Sequence, residues 1–216
     1  MSNLHTAWQP RLMALASAGL GDDSAHDLNH LQRVWRNAAI LLEGHPQADT
    51  LVVMAACYLH DLVNLPKNHP ERHLASRQAA TLAVQQLSEL GFPPEKLAGV
   101  AHAIETHSFS ANLTPVTIEA QIVQDADRID ALGAVGLARM FYTAARMDSA
   151  LAHGSDPLAL QRQLDDKAYS LDHIEVKLAK LPGKMQTPAG RALAEQRLAL
   201  MTGFRAAFAE EWGSQL

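Results

Sequence analysis

Apolar residues recur along most of this chain at the three- and four-residue spacing that places them on one face of an α-helix. Between residues 117 and 147, this spacing links Ile118, Ile122, Ile129, Leu132 and Leu137. No segment of useful length alternates apolar and polar residues as a half-buried strand does, and no internal repeat or low-complexity linker is present. The pattern therefore predicts an all-α fold.

Glycine, proline and capping residues divide this pattern into successive helices. Ser24 and Asp27 have the spacing of a capping box at the start of the second helix, and the third helix is predicted to continue until Pro66. A break near Gly133 or Gly136 is expected in the long helical segment that follows residue 117. The predicted helices span residues 4–18, 24–44, 48–65, 73–90, 94–106, 117–147 and 187–212, with loops at 154–157 and 182–188.

Composition narrows the classes of function. The net charge of −5 argues against a nucleic-acid polymer or an anionic membrane as partner. The single cysteine, Cys57, rules out an internal disulfide and a CxxC site. With no long apolar run and no basic, apolar start, a cytoplasmic protein without membrane contact is expected. The sequence also lacks HExxH, ExxH, P-loop, GxGxxG and GxSxG motifs, which argues against the enzyme classes that carry them.

Four polar residues interrupt otherwise apolar helical segments. His30 lies on the second predicted helix, His60 and Asp61 lie near the end of the third, and Asp127 lies in the long segment. Burying a charge is costly unless the charge is paired or binds a metal, so such groups on separate helices suggest one shared partner. Two imidazoles and two carboxylates form a mixed nitrogen and oxygen set that suits a divalent first-row metal.

Each of these residues also has an ordinary structural interpretation. A single helical histidine such as His30 is more often capping or hydrogen-bonded than bound to a metal, and Asp127 could pair with Arg128 or Arg139. An adjacent histidine and aspartate inside an apolar helix are harder to explain in this way, because both need partners at once.

The order HLQRV, HD and QDADRIDALGAVG along the chain resembles the HD-domain superfamily of metal-dependent phosphohydrolases. The stretches HAIETHSFS, IVQDADRIDALGAVGLAR and DDKAYSLDH are similar to the YedJ/YpgQ-like branch of that superfamily, and the resemblance covers nearly the whole chain. It implies a single helical HD domain over residues 1–216, with a core at 20–150 and a C-terminal helical extension at 155–216 that packs on it. It also implies one divalent metal ion, with Mn²⁺ favoured over Ni²⁺, Fe²⁺, Co²⁺, Mg²⁺ and Zn²⁺, held by His30, His60, Asp61 and Asp127.

The resemblance further implies a phosphohydrolase that acts on small-molecule nucleotides through a metal-activated water. The favoured substrate is a (deoxy)nucleoside triphosphate, cleaved to a monophosphate and pyrophosphate. A monophosphate phosphatase, a phosphodiesterase for a signalling nucleotide and a non-catalytic nucleotide-binding or nucleotide-sensing domain are the alternatives. A homodimer is a further possibility.

Two histidines, His102 and His107, are interpreted as catalytic residues beside Asp61. They lie about 140° apart around a helix, so His107 is expected at or beyond the helix end, where it could turn into the cleft. Both are predicted to bind phosphate or to donate a proton to the leaving group, and surface histidines are the ordinary alternative. Some relatives carry a catalytic glutamate three residues after the HD pair, where this chain has Asn64, so that role is not carried over.

Other residues are predicted to support the site or to bind phosphate. Arg33 and Asp130 each follow a predicted ligand by three residues and share its helical face. Asp130 is expected to orient a ligand histidine or to pair with Arg33 or Arg128, and Arg33 has a simple salt bridge as its alternative. The predicted phosphate-binding residues are Lys67, Arg72, Lys177 and Lys180, with a solvated helix face as the alternative for the last two.

Overall fold

The computed structural model describes residues 3–19, 27–65, 69–108 and 111–213. Over these residues the regular structure is helical, apart from one isolated β-bridge between Ala150 and Tyr169. The α-helices described are α1 (Asn3–Gly19), α2 (Leu28–Leu42), α3 (Thr50–Leu59), α4 (Ala75–Glu89), α5 (Pro94–His107), α6 (Ile118–Asp130), α7 (Gly133–Ala145), α8 (Asp172–Val176) and α9 (Pro188–Glu211). Short 3₁₀ turns occupy Arg72–Leu74, Leu178–Lys180 and Pro182–Lys184. The predicted all-α fold is confirmed.

The chain divides into two compact units, of which the first ends at Asp127 and the second begins at Arg128. The predicted division between a core and a C-terminal extension, placed after residue 150, stays a prediction. Within the part of the chain that the structure describes, no helix has both the length and the apolar content needed to cross a membrane.

In the first unit, α3 forms the centre of the core. Its residues from Leu51 to Leu59 are all buried, and the helix packs against α1, α2 and α5. Asp49 caps its N-terminus, because the carboxylate accepts hydrogen bonds from the backbone N–H groups of Leu51 and Val52 at 3.0 and 3.3 Å. A long apolar run thus forms a helix that is buried on all sides.

Two predicted helix boundaries in this unit are wrong. Asp27 is itself the N-cap of α2, with its carboxylate accepting from the His30 backbone N–H at 2.9 Å, and it is not the third residue of a capping box. Ser24, the other half of that box, lies outside the described residues. α3 ends at Leu59, with His60 as C-cap, so the helix does not continue to the residues before Pro66.

Three helices of the first unit start side by side. The Lys96 ammonium on α5 pairs with the Asp49 carboxylate at the start of α3. The backbone N–H of Asp49 donates to Glu119 Oε1 in the first turn of α6 at 2.9 Å. The N-terminal ends of α3, α5 and α6 are therefore fixed to one another by charged and hydrogen-bonded side chains.

The second unit contains α7, α8 and α9. The predicted break in the long helical segment is found, because α7 begins at Gly133, whose φ of +75° is the left-handed conformation that favours glycine. Thr187 caps α9 as expected, with its hydroxyl accepting from the Gly190 backbone N–H at 3.0 Å. The loop between α7 and α8 is held by a bidentate ion pair between Arg162 and the buried Asp172.

Candidate metal centre

The four predicted ligands come from three separate helices and lie together in the first unit. His30 is in the first turn of α2, where the Asp27 cap fixes its backbone. His60 and Asp61 follow the last residue of α3, and Asp127 lies in the last turn of α6. His60, the C-cap of α3, still has helical backbone angles, with φ −63° and ψ −29°.

The orientation of the His60 ring follows from one hydrogen bond. Its Nδ1 lies 2.9 Å from the carbonyl oxygen of Cys57, which can only accept, so Nδ1 carries the proton and Nε2 carries a lone pair. The carbonyl belongs to the last turn of α3, where no intrahelical donor is available. The ring thus satisfies the end of its own helix and at the same time fixes its tautomer.

The Nε2 atoms of His30 and His60 face the same two carboxylates. His30 Nε2 lies 3.7 Å from Asp61 Oδ2 and 3.6 Å from Asp127 Oδ1. His60 Nε2 lies 3.6 Å from Asp61 Oδ2 and 3.7 Å from Asp127 Oδ1. These distances are too long for hydrogen bonds. They are close to the separation of about 3.0–3.6 Å between neighbouring atoms that each bind one small ion at about 2.1 Å.

The chemistry of these residues fits a divalent cation. His60 Nε2 is fully buried and has no hydrogen-bond partner, a state that costs free energy unless a ligand occupies it. His30 and His60 are each 1% exposed, whereas the side chains of Asp61 and Asp127 are 16% and 28% exposed. The two imidazoles are therefore closed to solvent, and the two carboxylates form the side of the cluster that solvent reaches.

The ends of three helices add to this electrostatic preference. α3, α5 and α6 begin together at Asp49, Lys96 and Glu119, and their other ends meet at the cluster, so the three helices run in one direction. A helix carries partial negative charge at its C-terminus. The carboxylates and the three helix ends therefore favour a positive ion at the same place.

His107 also reaches this cluster. It is the last residue of α5, as the sequence predicted for the helix end, and its Nδ1 lies 2.6 Å from the Ile104 carbonyl oxygen. The ring therefore repeats the arrangement of His60, with Nε2 directed toward Asp61 Oδ1 at 3.9 Å. His60, His107 and Asp127 offer a second set of atoms that could hold a metal ion.

The surroundings of His107 lower its pKa. Burial, and then the neighbouring His60, lower the pKa of His107 below its ordinary value, against the opposite effect of Asp127 and Asp61. A neutral ring that donates from Nδ1 to a carbonyl has an unprotonated Nε2. A neutral His107 is therefore suited to accept a proton or to bind a cation, and its predicted catalytic role stays a prediction.

His102 contacts the segment that leads into α6. Its Nε2 accepts a hydrogen bond from the Val116 backbone N–H at 3.1 Å, just before the start of α6. Neither of the two groups of potential metal ligands found among the described residues includes it. His102 thus holds the segment before α6, and its predicted catalytic role stays a prediction.

The two residues expected to support the ligands have partners of their own. Asp130 is buried and pairs with Arg139 at 2.6 Å, an arginine that the sequence had suggested only for Asp127. Arg128 donates a hydrogen bond to the Lys184 carbonyl oxygen. Arg33 is half-buried on α2. Although burial raises the pKa of Asp27, the hydrogen bonds from Asn29 and the His30 backbone, and then the charge of Arg33, leave that pKa lowered.

The predicted phosphate-binding residues are spread over the chain. Arg72, in a 3₁₀ turn, donates to the Leu65 carbonyl oxygen, and Lys67 lies outside the described residues. Lys177 and Lys180 belong to the second unit and do not share a regular α-helix, because α8 ends at Val176. The Lys180 N–H donates to the Lys177 carbonyl oxygen at 3.1 Å, and in such a 3₁₀ turn residues three apart still share a face.

Comparison with known proteins identifies the family. The model of the HD domain family matches residues 27–132, the segment that contains all four predicted ligands and His107. The uncharacterized protein YpgQ of Bacillus subtilis is 34% identical over 187 residues, which are 85% of this chain and 82% of YpgQ. This chain belongs to the HD-domain family. Within that family it belongs to the YpgQ-like branch, and the predicted class of enzyme, a metal-dependent phosphohydrolase, is confirmed.

Solved structures share the fold of this chain over nearly its whole length. The structure of B. subtilis YpgQ in complex with ADP has a TM-score of 0.74 and 28% identity, covering 95% of each chain. An HD-superfamily hydrolase from Bacillus thuringiensis has a TM-score of 0.74 and 27% identity, covering 97% of this chain and 99% of that one. The likeness to these solved structures thus covers more of the chain than the segment that the family model matches, and the predicted single domain over residues 1–216 stays a prediction.

Proposed function

We propose that this HD-domain protein hydrolyses nucleoside or deoxynucleoside triphosphates to a monophosphate and pyrophosphate. Two observations support the proposal. The first unit holds a cluster of imidazoles and carboxylates whose buried His60 Nε2 has no hydrogen-bond partner. A relative that covers 95% of this chain was solved with ADP, a nucleotide with a phosphoanhydride bond.

His30, His60, Asp61 and Asp127 are the proposed ligands of one divalent ion, with Mn²⁺ as the favoured metal. The unpartnered Nε2 of His60 is the observation that carries this assignment, because a buried lone pair without a donor is what a metal ion would satisfy. When bound, such an ion lowers the pKa of a water molecule and polarises a phosphoryl group. The chain supplies the fixed tautomer of His60 through Cys57, which keeps Nε2 ready to bind.

His107 is the proposed general base. Its Nε2 holds a lone pair beside the carboxylate of Asp61, and its lowered pKa keeps the ring neutral at physiological pH. The ring can accept a proton at Nε2 while Nδ1 keeps its hydrogen bond to the Ile104 carbonyl oxygen. Asp61 would stabilise the imidazolium that results from this transfer.

Lys177 and Lys180 are the proposed contacts for the outer phosphates of the substrate. Arg72 and Lys67 are proposed as further phosphate-binding residues. Lysine binds phosphate as a mobile point charge, so these contacts are expected to strengthen substrate binding more than they accelerate the reaction.

The test is turnover of a nucleotide panel by the metal-loaded protein. Triphosphates, monophosphates and cyclic nucleotides are supplied with Mn²⁺, and phosphate and pyrophosphate are measured separately. Pyrophosphate released in equal amount to monophosphate is the expected result, and His60→Asn is the inactive control. Release of phosphate from monophosphates would show a phosphatase instead. Hydrolysis of cyclic nucleotides to linear monophosphates would show a phosphodiesterase. Nucleotide binding without any product would show a nucleotide sensor.

A further inference from the structure

Two buried side-chain amides connect the helices that carry the candidate ligands. Asn37 on α2 and Gln124 on α6 are 2% and 1% exposed. Each donates a hydrogen bond to a backbone carbonyl on another helix, and in each case that carbonyl belongs to the residue immediately before a member of the cluster. All of these contacts lie within the first unit.

Gln124 acts on the end of α5. Its Nε2 donates to the Thr106 carbonyl oxygen at 2.7 Å, and Thr106 precedes His107, the last residue of the helix. Carbonyls in a last helical turn have no donor within the helix and need one from elsewhere. The amide of Gln124 supplies that donor, so the peptide that leads into His107 is fixed by α6, the helix that also carries Asp127.

Asn37 acts on α6 in the same way. Its Nδ2 donates to the Ala126 carbonyl oxygen at 3.1 Å, and Ala126 precedes Asp127. A helical carbonyl has a second lone pair, which can accept this bond in addition to the helical one. Asn37 follows His30 by seven residues on α2, so a single helical face carries both the ligand and the amide.

We infer that Asn37 and Gln124 are positioning residues that set the separation of His30, Asp127 and His107 by fixing α2 to α6 and α6 to α5. The inference rests on the proposed metal site. A hydrogen bond to a carbonyl fixes both the sliding of one helix along another and its rotation, which apolar packing alone leaves less defined. The amides would therefore determine how closely three of the ligating atoms converge, without touching the metal or the substrate.

The test compares metal affinity with stability in matched variants of the full chain. Asn37→Leu and Gln124→Met keep the size of each side chain and remove the donor. The matched control is Leu12→Ala, which truncates a fully buried residue of α1, a helix that contributes no candidate ligand. The dissociation constant for Mn²⁺ is measured by calorimetric titration of metal-stripped protein, and the melting temperature is measured in chelator.

Residues that orient metal ligands typically change metal affinity by about 10–100-fold when they are replaced. We expect Asn37→Leu and Gln124→Met to weaken Mn²⁺ binding by about tenfold or more, with Gln124→Met the larger because it leaves the Thr106 carbonyl without its donor. Leu12→Ala should lower the melting temperature at least as much as the two amide variants do, and it should leave the dissociation constant for Mn²⁺ unchanged. If an isosteric variant does not fold, Asn37→Ser or Gln124→Ser replaces it under the same criterion.

Each other outcome has a defined meaning. Wild-type affinity in both amide variants would overturn the positioning role while leaving the metal site intact. Equal weakening in Leu12→Ala would also overturn it, since the effect would then follow from stability alone. A wild-type protein that binds no Mn²⁺ would overturn the metal site and, with it, the positioning role.

Discussion

The buried Nε2 of His60 predicts that metal binding and stability are linked. A ligand that binds only the folded state stabilises it by about 2.7 kcal/mol when its concentration is 100 times its dissociation constant. For a chain of this size, each kcal/mol corresponds to a shift in melting temperature of about 2–4 °C. Saturating Mn²⁺ should therefore raise the melting temperature of the wild-type protein by about 5–11 °C relative to chelated protein.

His60→Asn separates the ligand atom from the structural role of the ring. The asparagine Nδ2 can donate to the Cys57 carbonyl oxygen as the imidazole Nδ1 does, while the side chain has no equivalent of Nε2. The loss of imidazole packing is partly offset, because the unpartnered buried Nε2 costs about 1–3 kcal/mol in the metal-free protein. The variant should therefore fold without metal and show almost no shift when Mn²⁺ is added.

His102→Gln is the matched control. The glutamine Oε1 can accept from the Val116 N–H in place of the imidazole Nε2, so the variant removes a histidine of α5 without removing a proposed ligand. Thermal melts followed by circular dichroism, in chelator and with added Mn²⁺, compare the three proteins. The reasoning is refuted if His60→Asn keeps the wild-type shift, or if His102→Gln loses it.

Three further predictions concern single groups. His107→Gln should retain the Mn²⁺-induced shift and lose about 10²–10⁴-fold in kcat, because a general base is removed; loss of the shift as complete as in His60→Asn would make His107 a ligand. Lys177→Ala and Lys180→Ala should raise KM for triphosphates more than for monophosphates with little change in kcat, and an unchanged kcat/KM in both would contradict phosphate binding. The Asp49 carboxyl, although burial raises its pKa, has a net lowered pKa through the Lys96 ammonium and two backbone N–H groups. Asp49→Asn should therefore lower the free energy of unfolding by about 0.2–1 kcal/mol at neutral pH. In urea titrations this difference between the two proteins should shrink as the pH falls below about 4 and then through the lowered pKa of Asp49. A constant difference down to pH 3 would contradict the charge effect.

The sequence was sufficient to predict most of the described helices, although not the short α8, and the four residues that meet at the cluster. The glycine at the start of α7 and the threonine before α9 are found where their local chemistry predicts. His30, His60, Asp61 and Asp127 were grouped because each is polar within an apolar segment. That argument depends on burial and needs no knowledge of how the helices pack.

Features that depend on tertiary contacts were not predictable in the same way. The apolar residues Leu62 and Val63 continue the pattern of α3, but the helix ends at Leu59, where the His60 ring takes the Cys57 carbonyl oxygen. Asp130 lies on the same helical face as Asp127, and spacing could not show that Arg139 would be its partner. The sequence contained only a weak indication of the role of Asn37, since this residue follows His30 by two helical turns on a buried face.

The difference in exposure across the cluster affects how a metal ion and an anionic substrate would each approach it. The imidazoles of His30 and His60 are closed to solvent, and the carboxylates of Asp61 and Asp127 form the accessible side. A cation arriving from solvent meets negative oxygens first and is attracted by them. A polyphosphate arriving by the same side of a metal-free protein meets two like charges and is repelled. An anionic substrate is therefore expected to bind more readily after a cation has entered the cluster than before it.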